Sequence, residues 1–232
     1  LKKKNYLFVD GRYTLQAQKE SGKLFKIIEI HKFLPHKILK NLKLGFDPSL
    51  HTIKQLHTLF GKTLILKQIN NNLIDQIHKN KEKKTKGFFS LENKVTGENF
   101  KSKINKIRKI LKSSRADYLF ISAPENVAWI LNIRGYDNPN SPIPNCRLIV
   151  GKNKDLFLIA QKKKTLKITA EKKLSKKQII NPKKFKDLIY KLKGNKFMID
   201  AMTCSILNEN IIKSKFQIIN LLDPCYKLKS IK

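Results

Sequence analysis

Short apolar runs alternate with amphipathic helical stripes along all 232 residues, and that rhythm leaves few architectures open. Strands are expected at Tyr6 to Asp10, Phe25 to Ile30, Leu42 to Asp47, Thr63 to Ile69, Tyr118 to Ala123, Arg147 to Gly151, Leu156 to Ala160, Lys177 to Ile180, Phe197 to Asp200 and Gln217 to Leu221. Between them, Phe100, Ile104, Ile107 and Leu111 recur at helical spacing, as do Phe185, Leu188, Ile189 and Leu192. Asp47-Pro48, Ala123-Pro124 and Asn181-Pro182 each put proline where a first helical turn has no N–H partner to lose, and so read as helix starts. Strand and helix in alternation make the class α/β.

The alternation also repeats itself. Leu7-Phe8-Val9-Asp10 resembles Leu156-Phe157-Leu158-Ile159, the strand ending at Asp47 resembles the one ending at Asp200, and Asp75 resembles Asp223, all about 150 residues apart. Two related domains are expected, 1–79 and 88–225, joined by an apolar-free linker at 80–87. The second copy opens a helix near Gly97, well ahead of its Leu-Phe-Leu-Ile strand, whereas little precedes Leu7. The first domain is therefore expected to be truncated. Leu1 is not an initiator Met and Tyr226 to Lys232 has no natural stop, so an internal piece of a longer chain is expected, with 226–232 opening a further connection.

Charge narrows the partners. The 50 Lys+Arg against 17 Asp+Glu give +33, which favours polyanions through counterion release. Only Arg12, Arg108, Arg115, Arg134 and Arg147 are arginines, however, and the lysines are dispersed. Base reading favours the guanidinium fork, so weak phosphate adhesion is expected and specific nucleic-acid binding is not. No apolar run approaches a membrane span, and Cys146, Cys204 and Cys225 are too few and too far apart for a disulfide framework. A cytoplasmic protein is expected.

Catalytic motifs are missing from the sequence. His31, His36, His51, His57 and His78 lack the HExxH spacing, and no GxSxG, GxGxxG or P-loop occurs. Cys204 near a helix start reads as a buried structural thiol. One segment stands apart, Pro124 to Asp137, whose helix carries the only Trp, Trp129, and runs into Arg134-Gly135 before a loop with Pro139, Pro142 and Pro144. Trp129 reads as a core anchor and Gly135 as a helix C-cap. Arg134 is either a site residue facing another domain or a solvated loop residue.

At this segment the sequence resembles the aminopeptidase P family, the Xaa-Pro aminopeptidases of the creatinase/prolidase superfamily. That family carries a tryptophan helix running into an Asn-(Leu/Ile)-Arg-Gly-x-Asp turn, matched by Trp129, Asn132, Arg134, Gly135 and Asp137. Further matches follow in order: Leu7 to Tyr13 (LFVDGRY, with Asp10 and Arg12), Leu44 to Asp47 (LGFD), Leu73 to Ile77, and Leu222-Asp223-Pro224. His78 stands where the family usually has Trp, and lysines replace the Arg-Pro that usually follows.

The resemblance implies two tandem creatinase/prolidase N-terminal domains of ribonuclease H-like topology with mixed sheets. It also implies a C-terminal pita-bread domain, absent here, that holds two divalent metal ions, Mn or similar, through Asp, Asp, His, Glu and Glu. No metal or catalytic residue is assigned to this chain. Arg134 and Asp137 become candidates for a place near the substrate or between domains, and Asp10, Arg12, Trp129, Asn132 and Gly135 become structural motif residues. Implied partners are the catalytic domain, peptide substrates and, in a homodimer, a second copy. The alternatives are a prolidase- or creatinase-like sibling, or a non-enzymatic basic module that binds polyanions.

Overall fold

The computed structural model describes residues 5–39, 41–61, 64–69, 71–77 and 86–231. The chain divides into two compact units, residues 1–72 and 73–232. His78 and most of the expected linker, 80–85, lie outside the described residues.

The first unit runs β1 (Tyr6–Val9), α1 (Thr14–Ser21), β2 (Lys26–Glu29), α2 (Pro35–Ile38), β3 (Lys43–Phe46), α3 (Ile53–Phe60) and β4 (Ile65–Gln68). β1 pairs in parallel with β2, and β3 in parallel with β4, each pair a separate two-stranded sheet. Parallel neighbours require a crossover, which α1 and α3 supply. The expected helix start at Asp47-Pro48 is corrected. Asp47 instead accepts from the Ser49 backbone N at 2.8 Å and hydroxyl at 2.6 Å, closing a turn that competes with helix. Helix α3 begins only at Ile53, behind Thr52, whose hydroxyl accepts from Gln55 N at 3.2 Å while the Gln55 side chain accepts from Thr52 N at 3.0 Å. Among the described residues of this unit only Ala17, Pro35, Leu39, Phe46, Leu56 and Leu64 are buried apolar side chains.

The second unit continues with α4 (Leu73–Ile77), β5 (Phe89–Ser90), α5 (Asn93–Thr96), α6 (Phe100–Ser113), β6 (Tyr118–Ile121), α7 (Pro124–Leu131), β7 (Ile133–Arg134), β8 (Arg147–Gly151) and β9 (Leu156–Ile159). It closes with α8 (Leu166–Ala170), β10 (Ile179–Ile180), α9 (Phe185–Lys191), β11 (Lys196–Ile199), α10 (Ile206–Lys213), β12 (Gln217–Asn220) and α11 (Pro224–Ser230). Six strands form one sheet in the order β10-β9-β8-β6-β11-β12. β8 runs antiparallel to both neighbours and the other pairs are parallel, so the sheet is mixed.

Two-residue alternation explains how the sheet is covered on both faces. Leu119, Ile121, Leu148, Val150, Leu158 and Met198 point to one side, where Ile104, Ile107 and Leu111 of α6 and Val127, Ile130 and Leu131 of α7 meet them. Tyr118, Phe120, Ile149, Phe197 and Ile199 point to the other, against Phe185, Leu188 and Ile189 of α9 and Ile212 of α10. Each of these fully buried side chains contributes about 1.5–3 kcal/mol relative to exposure. The expected strand at Lys177 to Ile180 shrinks to Ile179–Ile180. Ser175 and Gln178 cap one another across a 3₁₀ turn and take Lys176–Gln178 out of the sheet. Among the described residues no helix is long and apolar enough to cross a membrane.

Candidate functional site

Helix α7 carries the tryptophan motif. Proline at its first position costs no hydrogen bond, and its last turn leaves carbonyls in need of donors. Asn132 ends it in the left-handed conformation, φ 50° and ψ 48°, which asparagine tolerates better than most residues. This corrects the reading of Gly135 as the cap. Gly135 serves close approach instead, since a Cβ there would lie 2.9 Å from the Pro144 backbone and 3.1 Å from the Phe88 ring.

Three cations converge on the end of α7. Lys103 Nζ donates to Trp129 O at 3.0 Å and to Asn132 Oδ1 at 2.7 Å, and sits 4.4 Å from the centre of the Trp129 ring. Lys173 Nζ donates to Leu131 O at 3.1 Å and Asn132 O at 3.0 Å. Arg134 Nη1 reaches back to Ile133 O at 2.9 Å and Ala128 O at 3.4 Å. Cations at a helix C-terminus oppose its partial negative charge, and here they also satisfy its free carbonyls.

The node is desolvated. Lys103 is 2 % exposed, and burial pulls its ammonium below the ordinary lysine range, with Glu98 opposing and Arg134, Lys106 and Lys173 adding to the fall. The Asn132 side chain donates to Thr96 Oγ1 at 3.0 Å and Glu98 O at 2.7 Å while accepting from Lys103, so it ties α5, α6 and α7 together. Hydrogen bonding from Ser102, then Lys106, holds the Glu98 carboxyl below its usual value.

The other expected residues fall around this node or apart from it. Trp129 is half-buried and packs against the core, as a core anchor should. Asp137 pairs with Lys164 and accepts from Asn145 N at 2.6 Å, which fastens the proline-rich loop. Arg134 is half-buried and lies in β7, opposite Phe89 of β5, so Arg134 and Asp137 take different partners. Asp10 and Arg12 pair with one another in the first unit, Nε to Oδ1 at 3.0 Å and Nη2 to Oδ2 at 3.2 Å, largely exposed. Cys204 is fully buried, and desolvation pushes its thiol up to about 12.

Sequence reasoning missed Lys103, Lys173 and Glu98. Lys103 had a signal, a lysine inside the apolar stripe between Phe100 and Ile104. It also missed a second buried polar cluster, at the carboxyl ends of β11 and β12. Asp200 Oδ2 accepts from Asp223 N at 3.0 Å, Asp223 Oδ2 from Asn126 Nδ2 at 2.6 Å, and Asn126 Oδ1 from Lys229 Nζ at 2.6 Å. Burial raises the Asp223 carboxyl, against its hydrogen bonds from Cys225 and Asn126. This cluster fastens α11 to α7, so the second unit extends through residues 226–230. Among the described residues no three His, Cys, Asp or Glu side chains gather as metal ligands.

A mixed six-stranded sheet, covered by helices on both faces and carrying this helix-and-turn motif, defines an α/β domain of three layers. Residues 79–232 match the family model of the creatinase/prolidase N-terminal domain, and the chain belongs to that family. Xaa-Pro aminopeptidase 1 of Dictyostelium discoideum is 31 % identical over 158 residues, covering 59 % of this chain and 25 % of that protein. A probable Xaa-Pro aminopeptidase P of Laccaria bicolor is 29 % identical over 157 residues, covering 60 % of this chain and 24 % of its own. The chain thus aligns with about a quarter of each of these relatives. Among solved structures, an X-prolyl aminopeptidase from Caenorhabditis elegans, described as a cytosolic enzyme with a di-nuclear active site, superposes with a TM-score of 0.74. It is 21 % identical, and the match covers 94 % of this chain and 39 % of that one, which establishes a shared fold.

Proposed function

We propose that these residues are the non-catalytic N-terminal portion of a metal-dependent Xaa-Pro aminopeptidase, a hydrolase that removes the residue preceding proline from the amino end of a peptide. The observation that carries this reading is the family match over residues 79–232, together with relatives named as Xaa-Pro aminopeptidases that align over the same kind of segment. In this reading the chain shapes access to an active site on a following domain and supplies subunit contacts in a cytoplasmic homodimer. The two divalent ions belong to that following domain, and no residue of this chain is assigned to hold them.

The reading includes a tandem duplication, supported by matched strand pairs. β1 with β2 corresponds to β9 with β10, and β3 with β4 to β11 with β12, all four pairs parallel. Thr52, which caps α3, corresponds to Ser205, which caps α10. Asp47 and Asp200 each accept at 2.8 Å from the backbone N two residues on. One proposed match is revised: Asp223 caps α11, whereas Asp75 lies inside α4. β6, α7 and β8 have no counterpart among the described residues of the first unit.

Within the parent enzyme Arg134 is assigned a place facing substrate or the catalytic domain, with its remaining guanidinium donors available beyond Ile133 O and Ala128 O. The test uses the complete parent chain with Mn²⁺ and an Xaa-Pro peptide. Arg134→Ala should lower kcat/KM about tenfold with little change in melting temperature, and Arg134→Lys should recover part. Failure of the complete chain to release the N-terminal residue would overturn the peptidase reading. A loss of melting temperature with unchanged catalysis would leave Arg134 as a clamp on α7 alone.

A further inference from the structure

One face of α6 opens on a surface cleft of about 430 Å³ that the peptidase reading does not use. Lys101, Asn105 and Arg108 of α6 line it on one side, and Lys173 and Gln178 on the other. None of its lining residues is acidic. In a chain with only five arginines, one of them stands here.

Arg108 is half-buried and one of its donors is left unpaired. Its Nη2 donates to Lys154 O at 3.1 Å and its Nη1 to Asn105 Oδ1 at 3.5 Å, while Nε is buried with no partner. Such a group in a folded protein calls for an explanation. Burial lowers the guanidinium's proton affinity, with Asp155 opposing. Lys173, across the cleft, is likewise weakened by burial with only Glu171 opposing. Lys101 lies in the first turn of a 14-residue helix, where the helix's own positive end adds to the potential.

We propose that this cleft binds a small multiply charged oxyanion of the pyrophosphate class. Lys101 supplies an exposed point charge, the half-buried Arg108 guanidinium stands behind it, Lys173 adds the field of an ammonium that stays anchored on Leu131 O and Asn132 O, and the amides of Asn105 and Gln178 supply neutral donors. The Gln178 carbonyl oxygen already accepts from Ser175 N at 2.9 Å and Ser175 Oγ at 3.0 Å, which fixes the side chain and leaves its amino group for the ligand. The size of the cleft suits a compact anion better than a polymer, whose affinity for this chain would follow total charge.

The test is calorimetric titration of the chain with pyrophosphate at about 150 mM salt, where long-range attraction between exposed charges is largely screened. Lys101→Gln with Arg108→Gln should weaken binding at least tenfold. Lys186→Gln with Lys191→Gln removes the same charge from α9, which packs on the opposite face of the sheet, and should change it less than twofold. Lys101 is exposed, so Lys101→Glu alone reads the cleft without disturbing the fold, and it should also weaken pyrophosphate severalfold. Equal losses in the two double variants would overturn the proposal as general charge. Absence of saturable binding by the unaltered chain would overturn it as well, and so would a single-stranded oligonucleotide that is more sensitive to the cleft variant than pyrophosphate is.

Discussion

Asp117 shows how one carboxylate can hold a sheet edge and set a pH limit. It accepts from Asn195 N at 2.7 Å, Lys196 N at 2.9 Å and Lys152 Nζ at 2.6 Å, which joins the start of β6 to the start of β11. Burial alone would raise it, but Lys152 and the two backbone N–H groups outweigh burial and bring it down to about 2. A carboxyl depressed in the folded state stabilises fully above its unfolded value near ~4 and loses that contribution as pH falls through the folded value. Asp117→Ala should therefore cost about 1.5–3 kcal/mol near neutral pH, and the difference from the unaltered chain should shrink between about pH 4 and pH 2. Denaturant melts at both ends of that window check it, and a constant difference would contradict the assignment. Gly135 makes a second residue-scale test. Gly135→Ala drives a methyl into Pro144 and should cost about 1–3 kcal/mol in the same melts.

At the scale of elements, the end of α7 is a helix terminus whose cap, cations and neighbours form one unit. Asn132→Ala would remove the left-handed residue that ends the helix and leave Lys103 buried without its Oδ1 acceptor. A loss of about 1–3 kcal/mol is expected, because a buried ammonium loses one of its acceptors and keeps only Trp129 O and the Trp129 ring. Combining it with Lys103→Met should cost less than the sum of the two, and thermal or chemical melts of the four proteins measure that coupling. Strict additivity would mean that the two side chains do not act together.

The same region shows where the sequence was legible. Every expected strand has a counterpart, because a sheet covered on both faces turns its strands into short continuous apolar runs such as Tyr118 to Ile121. The two-residue strands β5 and β7 were not legible, being too short to show any period. The Trp129-to-Asp137 segment was legible as a motif, but its partners Lys103, Glu98 and Lys173 come from distant positions that no local pattern links. The Asp47 turn was misread for a physical reason: Asp before Pro suits a helix cap and a turn equally, and the Thr52 capping box decided between them.

At the scale of the whole molecule, buried apolar surface is divided unequally. The second unit has a six-stranded sheet with a helix-covered core on each face, whereas the first has two strand pairs and six buried apolar side chains among its described residues. Local opening follows such differences, since segments with few buried apolar neighbours open at low free energy. In the first unit Leu15, Leu24, Leu50 and Ile65 are all more than 60 % exposed, so apolar area that could oppose opening is left in water. Amide hydrogen exchange on the 232-residue chain should show protection concentrated in β6, β8, β9 and β11, the strands with neighbours on both sides, and in α6. β1 to β4 should exchange orders of magnitude faster, through opening that leaves the second unit folded. Residues 86–231 expressed alone should retain their protection pattern, because both core clusters lie wholly within them. Equal protection across the two units, or collapse of protection when the first is removed, would show that they fold as one cooperative body.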